Sequence, residues 1–98
     1  MLSDAQIQAL AGRLLSQDLS LTRLADGSGV LLDLSGQQIL ALNETALHLL
    51  EALRATPGAT REGLLLGITS AFEVSHETAG SDLERFLDRL DEVLAHRA

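Results

Sequence analysis

The sequence predicts an α+β fold: a three-stranded antiparallel sheet followed by three helices, with an extra helix at the N-terminus. Two observations carry the prediction. Between residues 18 and 42, apolar stretches alternate with short Gly-containing turns, and connections that short join only antiparallel neighbours. From residue 44 onward the apolar residues recur at i, i+3 and i+4, a helical period that residues 1–16 also carry.

Each element has its own local justification. In MLSDAQIQALAGRLLS (1–16), Ser3 and Gln6 make a capping box and Leu2 with Ile7 a hydrophobic staple. Ile7, Leu10, Ala11 and Leu14 then share a face. DLSLTRL (18–24) alternates with strand periodicity, and Asp26-Gly27 signals a turn. VLLDL (30–34) is nearly all apolar and predicts a central strand buried on both faces. Ser35-Gly36 turns the chain again, and QQILAL (37–42) forms a third strand at the sheet edge.

Asn43-Glu44-Thr45 fits a glycosylation sequon, but nothing in the chain signals export. The local reading is an N-cap: the apolar alternation stops at Leu42 and a helix with Leu47, Leu50 and Leu53 on one stripe follows. Glu44 adds negative charge at the positive end of that helix. Pro57-Gly58 ends it, and Thr60 caps a second helix holding Leu64, Leu65, Ile68, Ala71 and Phe72. The last helix carries Leu83, Phe86, Leu87, Leu90, Val93 and Leu94. Its start has two readings. Ser75 can cap a helix that runs through Gly80, at about 1 kcal/mol relative to Ala, or Ser81 to Glu84 can open it afresh. The helix is expected to be established by Asp82, with an extension back to His76 left open. Sheet first and helices after is a winged helix-turn-helix-like arrangement.

Composition bounds function. The chain has 98 residues, no Cys, and Phe72 and Phe86 as its only aromatics, so one aliphatic core is expected, without disulfides or Cys-ligated metal. Its seven basic residues, all Arg, face fourteen acids, for a net charge of −7. Nucleic-acid affinity rests largely on phosphate neutralisation, and residues 82–92 set five acids against Arg85 and Arg89. Neither DNA nor an anionic membrane is therefore an expected partner. No apolar run is long enough to span a bilayer, and a cytoplasmic protein is expected. His48 with Glu44 and Glu51, and His96 with Glu92, share helix faces but offer too few ligands for a metal. No nucleophile elbow or phosphate loop occurs. No catalytic residue and no cofactor is expected.

The third strand carries no charge and no Pro, yet it sits at an edge. Natural edges are usually blunted, because exposed N–H and C=O groups recruit other strands. Either the N-terminal helix or a second copy of the chain covers it, or it accepts a partner strand.

The stretch VLLDLSGQQILALNETALHLLEAL, then a helix ending AFEV, then SDLERFLDRL, resembles the PqqD-like family. These are small peptide chaperones, or precursor-peptide recognition elements, of ribosomally made and modified peptides. The similarity covers about residues 19–94. Its most specific parts are Leu42, Asn43, Glu44, Thr45 and Ala46, followed by Asp82 with Phe86 and Leu87. With the N-terminal amphipathic helix read from its own residues at 1–16, the resemblance implies a winged-helix peptide-binding domain at 17–98. It also implies a non-catalytic role: binding a precursor's leader as an added antiparallel strand and presenting it to a maturation enzyme such as a radical-SAM protein. The peptide-binding residues so implied are Gln37, Gln38, Ile39, Leu40 and Ala41 on the strand, and Asp82, Arg85, Phe86 and Arg89 on the helix. Arg85 and Arg89 pair either with an acidic leader or with the neighbouring Asp82, Asp88 and Glu92. Pro at Leu40 or Ala41 is expected to weaken peptide binding. The N-terminal helix is not part of the family's common core; shielding the edge, forming a homodimer and docking a maturase are its open roles. A protein–protein adaptor or regulatory subunit on the same fold is the alternative function, and a winged-helix DNA-binding protein the third.

Overall fold

The computed structural model describes residues 2–16, 19–33, 38–56 and 58–95. Seven elements follow in order: α1 (Asp4–Ser16), β1 (Leu19–Arg23), β2 (Gly29–Asp33), β3 (Gln38–Leu42), α2 (Glu44–Ala55), α3 (Arg61–Ala71) and α4 (His76–Ala95). The Ser35-Gly36 turn, Gln37, Pro57 and His96 lie outside the described residues. The strands form one antiparallel sheet in the order β1-β2-β3, so the expected α+β architecture, its extra N-terminal helix included, is present.

The caps follow from local chemistry. The Ser3 N–H donates to Gln6 Oε1 at 2.8 Å, and the Gln6 N–H donates back to Ser3 Oγ at 3.2 Å, the reciprocal bonds of a capping box. Asn43 Oδ1 accepts from the Ala46 N–H at 2.8 Å, and Thr60 Oγ1 from the Gly63 N–H at 3.1 Å. Asn43 is thus a helix cap. The β1–β2 hairpin turns at Asp26-Gly27. The Gly27 N–H donates to the Leu24 carbonyl at 3.2 Å, and the Leu24 N–H to the Ser28 carbonyl at 2.9 Å. Gly27 takes φ 91°; this is a three-residue hairpin loop closed by a glycine bulge.

Asp26 Oδ1 holds that turn by accepting from the Ser28 hydroxyl at 2.5 Å and the Ser28 N–H at 3.0 Å. These two bonds, the hydroxyl's first, hold the carboxyl below its ordinary value of 3.8. A depressed carboxyl stabilises the fold above its unfolded value and loses that contribution as pH falls through the folded value. The hairpin is therefore expected to loosen only below about pH 4. Following the Ser28 amide shift through an acid titration checks this, and Asp26→Asn should flatten the response.

Packing puts all the helices on one face of the sheet. Leu31, Leu40 and Leu42 point inward and are buried, where α2 and α4 lie against β3. Ser20, Thr22, Ile39 and Ala41 point outward and are exposed. The central strand differs from expectation here: Gly29, Leu31 and Asp33 are buried, whereas Val30 and Leu32 are only half-buried. Their cross-strand neighbours, Thr22 and Ala41 for Val30 and Ser20 and Ile39 for Leu32, shield those two; among the described residues no second layer covers that face.

The helices join the sheet in a single aliphatic core. Ile7, Leu10, Ala11 and Leu14 of α1 share it with Leu49, Leu50 and Leu53 of α2 and Leu83, Leu87 and Leu90 of α4. In α3, Leu64 and Ile68 are buried, Leu65 is half-buried and Ala71 exposed; the expected Phe72 falls just outside the helix, as its half-buried C-cap with extended backbone. The last helix starts early. Ser75 Oγ accepts from the Thr78 N–H at 3.1 Å, and the helix runs through Gly80. Complete burial of Ala79 ties that first turn into the core and offsets the glycine penalty. Arg61 links three helices: its N–H donates to Asp4 Oδ1 at 2.9 Å, and its guanidinium pairs with Glu84.

Candidate functional site

The edge strand β3 and helix α4 enclose a groove. One part, of about 130 Å³, is lined by Leu40 to Asn43 on the strand side, Thr45 and Ala46 at the start of α2, and Asp82, Arg85, Phe86 and Arg89 on α4. A second hollow continues it, between Gln38 and Ile39 on the strand and Arg89, Glu92 and Val93 on the helix. Leu42 thus lies toward the Asp82 end of α4 and Gln38 toward the Glu92 end, so strand and helix run antiparallel, with Arg89 common to both hollows. The floor is apolar: Leu40 and Leu42 are 2% exposed and Phe86 6%. The rim is polar.

The ladder settles which backbone groups of β3 face away from the sheet. Leu24 and Ser28 form a hydrogen-bonded pair, and such pairs alternate along an antiparallel ladder. Thr22–Val30 and Ser20–Leu32 therefore bond across β1 and β2. Gly29, Leu31 and Asp33 accordingly direct their N–H and C=O groups to β3, where their partners are Leu42, Leu40 and Gln38. Ile39 and Ala41 remain. Their N–H and C=O groups point outward along the free edge, while their side chains stand on the open face of the sheet. Ile39 is 68% exposed, α1 packs against α4 and α2, and no strand among the described residues pairs with this edge.

Of the residues named from sequence, Leu40, Ala41, Asp82, Arg85, Phe86 and Arg89 come together here, with Gln38 and Ile39 in the continuation. Gln37 lies outside the described residues. Sequence reasoning missed Leu42, Asn43, Thr45 and Ala46, because the junction read only as a strand end and a cap, and it missed Glu92 and Val93. One signal could have found them: an N-cap directly after an edge strand holds the first helical turn beside that edge.

The charges are unevenly engaged. Arg85 Nη2 lies 3.8 Å from Asp82 Oδ1 and 3.5 Å from Ser81 Oγ, and its side chain is 72% exposed. Arg89 is exposed and has no ion pair among the described residues. His48 packs edge-on against Phe72, with ring centroids 5.6 Å apart. Among the described residues no three His, Asp or Glu side chains gather to hold a metal ion, and no helix is long and apolar enough to cross a membrane.

Comparison with curated proteins and with solved structures found no match. The profile of one family, described as Coenzyme PQQ synthesis protein D (PqqD), matches residues 28–93. That span runs from the end of the first hairpin turn through both walls of the groove, and the chain belongs to the PqqD family.

Proposed function

We propose that the chain is a non-catalytic peptide chaperone: it binds the leader of a ribosomally made precursor peptide by strand addition to β3 and presents it to a modifying enzyme. PqqD family members are accessory proteins of PQQ synthesis, associated there with a peptide and a radical-SAM enzyme. The observation that carries the reading is the unblunted edge of β3. The outward N–H and C=O groups of Ile39 and Ala41 offer roughly four main-chain bonds at about 1 kcal/mol each. Apolar side chains seated over Leu40, Leu42 and Phe86 add the remainder of a micromolar affinity, about −8 kcal/mol. Main-chain bonding of this kind supplies affinity, and the pockets beside it supply register.

Titrating the isotope-labelled protein with the leader of a precursor encoded beside its gene tests this. Amide shifts are expected at 38–42 and 82–90. One observation favours the adaptor reading: Leu66 of α3 is 57% exposed beside half-buried Leu65. Shifts confined to α3, with β3 silent, would replace the chaperone with an adaptor that binds a folded partner.

A further inference from the structure

We infer that the groove selects an extended segment carrying two carboxylates at positions i and i+2. The inference rests on the reading of β3 as a strand acceptor and names the chemistry of what it accepts. A strand added beside β3 alternates its side chains, so every second one faces α4. Successive side chains on that face are about 6.7 Å apart. Arg85 and Arg89 are separated by one helical turn, about 6 Å along the axis. The two periods match, so one strand face can place a carboxylate against each guanidinium.

The charges around the groove favour this occupant. On a chain of net charge −7, two arginines side by side over one apolar floor are the local positive spot. Arg89 has no ion pair among the described residues, and Arg85 is held only by long contacts, 3.8 Å to Asp82 and 3.5 Å to Ser81 Oγ. Asp82 lies at one end of the run and Glu92 at the other. Among the positions of α4 that line the groove, the charges therefore run negative, positive, positive, negative, and a lysine at either central position of the peptide would meet a guanidinium. Both arginines are exposed, so the preference must weaken as salt rises.

The test uses end-capped, fluorophore-labelled synthetic peptides of alternating Thr and Val in which two successive Val are both Asp, both Asn or both Lys. Exposed ion pairs are individually weak, and two of them predict about tenfold tighter binding of the Asp peptide than of the Asn peptide in low salt, with the Lys peptide weakest. Arg89→Glu should reverse the order of the Asp and Lys peptides, and Arg85→Glu should do the same; both positions are exposed, and a far-UV spectrum checks the fold. Amide shifts at Gln38–Leu42 report strand addition separately. Equal affinity of the Asp and Asn peptides, with those amides shifting, overturns the carboxylate preference and leaves strand addition standing. No shift at those amides with any peptide overturns both.

Discussion

Ala41→Pro is expected to abolish peptide binding at least tenfold below the parent affinity while the protein stays folded, and Leu40→Pro is expected to damage the fold itself. The two residues are neighbours on β3, and their difference comes from ladder parity. Ala41 directs its N–H away from the sheet, so a proline there removes a donor that no intramolecular bond uses. Proline is tolerated on edge strands for that reason. Its ring also fills the space in which an incoming carbonyl would sit, so the loss exceeds one hydrogen bond. Leu40 turns its N–H to β2, opposite Leu31, and its side chain is 2% exposed. Proline at that position leaves a carbonyl unsatisfied, costing about 1–3 kcal/mol, and vacates part of the core. Urea melts and peptide titrations on both variants measure the split. An Ala41→Pro protein that is folded and binds its peptide with parent affinity would sink strand addition at this edge.

The features legible in the sequence are those decided within a few residues. Ser3 with Gln6, Asn43 and Thr60 each satisfy backbone donors three positions away, so residue type and spacing suffice. The Asp26-Gly27 turn is equally local, because Gly27 takes a positive φ that other residues avoid. Distant partners decide the features that were not legible. The start of α4 at His76 depends on Ala79 being buried under other helices, and spacing alone fixed the helix only from Asp82, leaving the extension back to His76 open. Which face of β3 meets the core is set by the helices, not by the alternation of Ile39, Leu40 and Ala41. The pairs Arg61–Glu84 and Arg23–Glu51 join elements far apart in the chain, and nothing in composition selects them over nearer acids. For the groove, the strand edge was legible in its lack of charge and α4 was named from the resemblance, while the contribution of Thr45 and Ala46 needed the helix to be placed.

Phe86→Ala is expected to cost about 3–5 kcal/mol of stability, the usual range for deleting a buried aromatic. Phe86 is 6% exposed and packs in the core cluster with Leu83, Leu87 and Leu90. Those leucines share α4 with Phe86 and are fixed by its backbone, so they can close only part of the space. Against a total of about 5–15 kcal/mol for a domain, that loss brings the protein close to unfolding, and the urea midpoint should fall sharply with the slope unchanged. Because Phe86 also floors the groove, Ala alone would confound lost binding with lost folding. Phe86→Leu separates them: it keeps most of the apolar volume that Ala deletes and so leaves a smaller cavity and a smaller loss, giving a folded protein whose groove floor is reshaped. If the floor contributes an anchor for the bound strand, this variant loses affinity out of proportion to its small stability change. Parent affinity in Phe86→Leu would mean that the aromatic serves the core alone, and that the strand edge and the two arginines carry recognition without it.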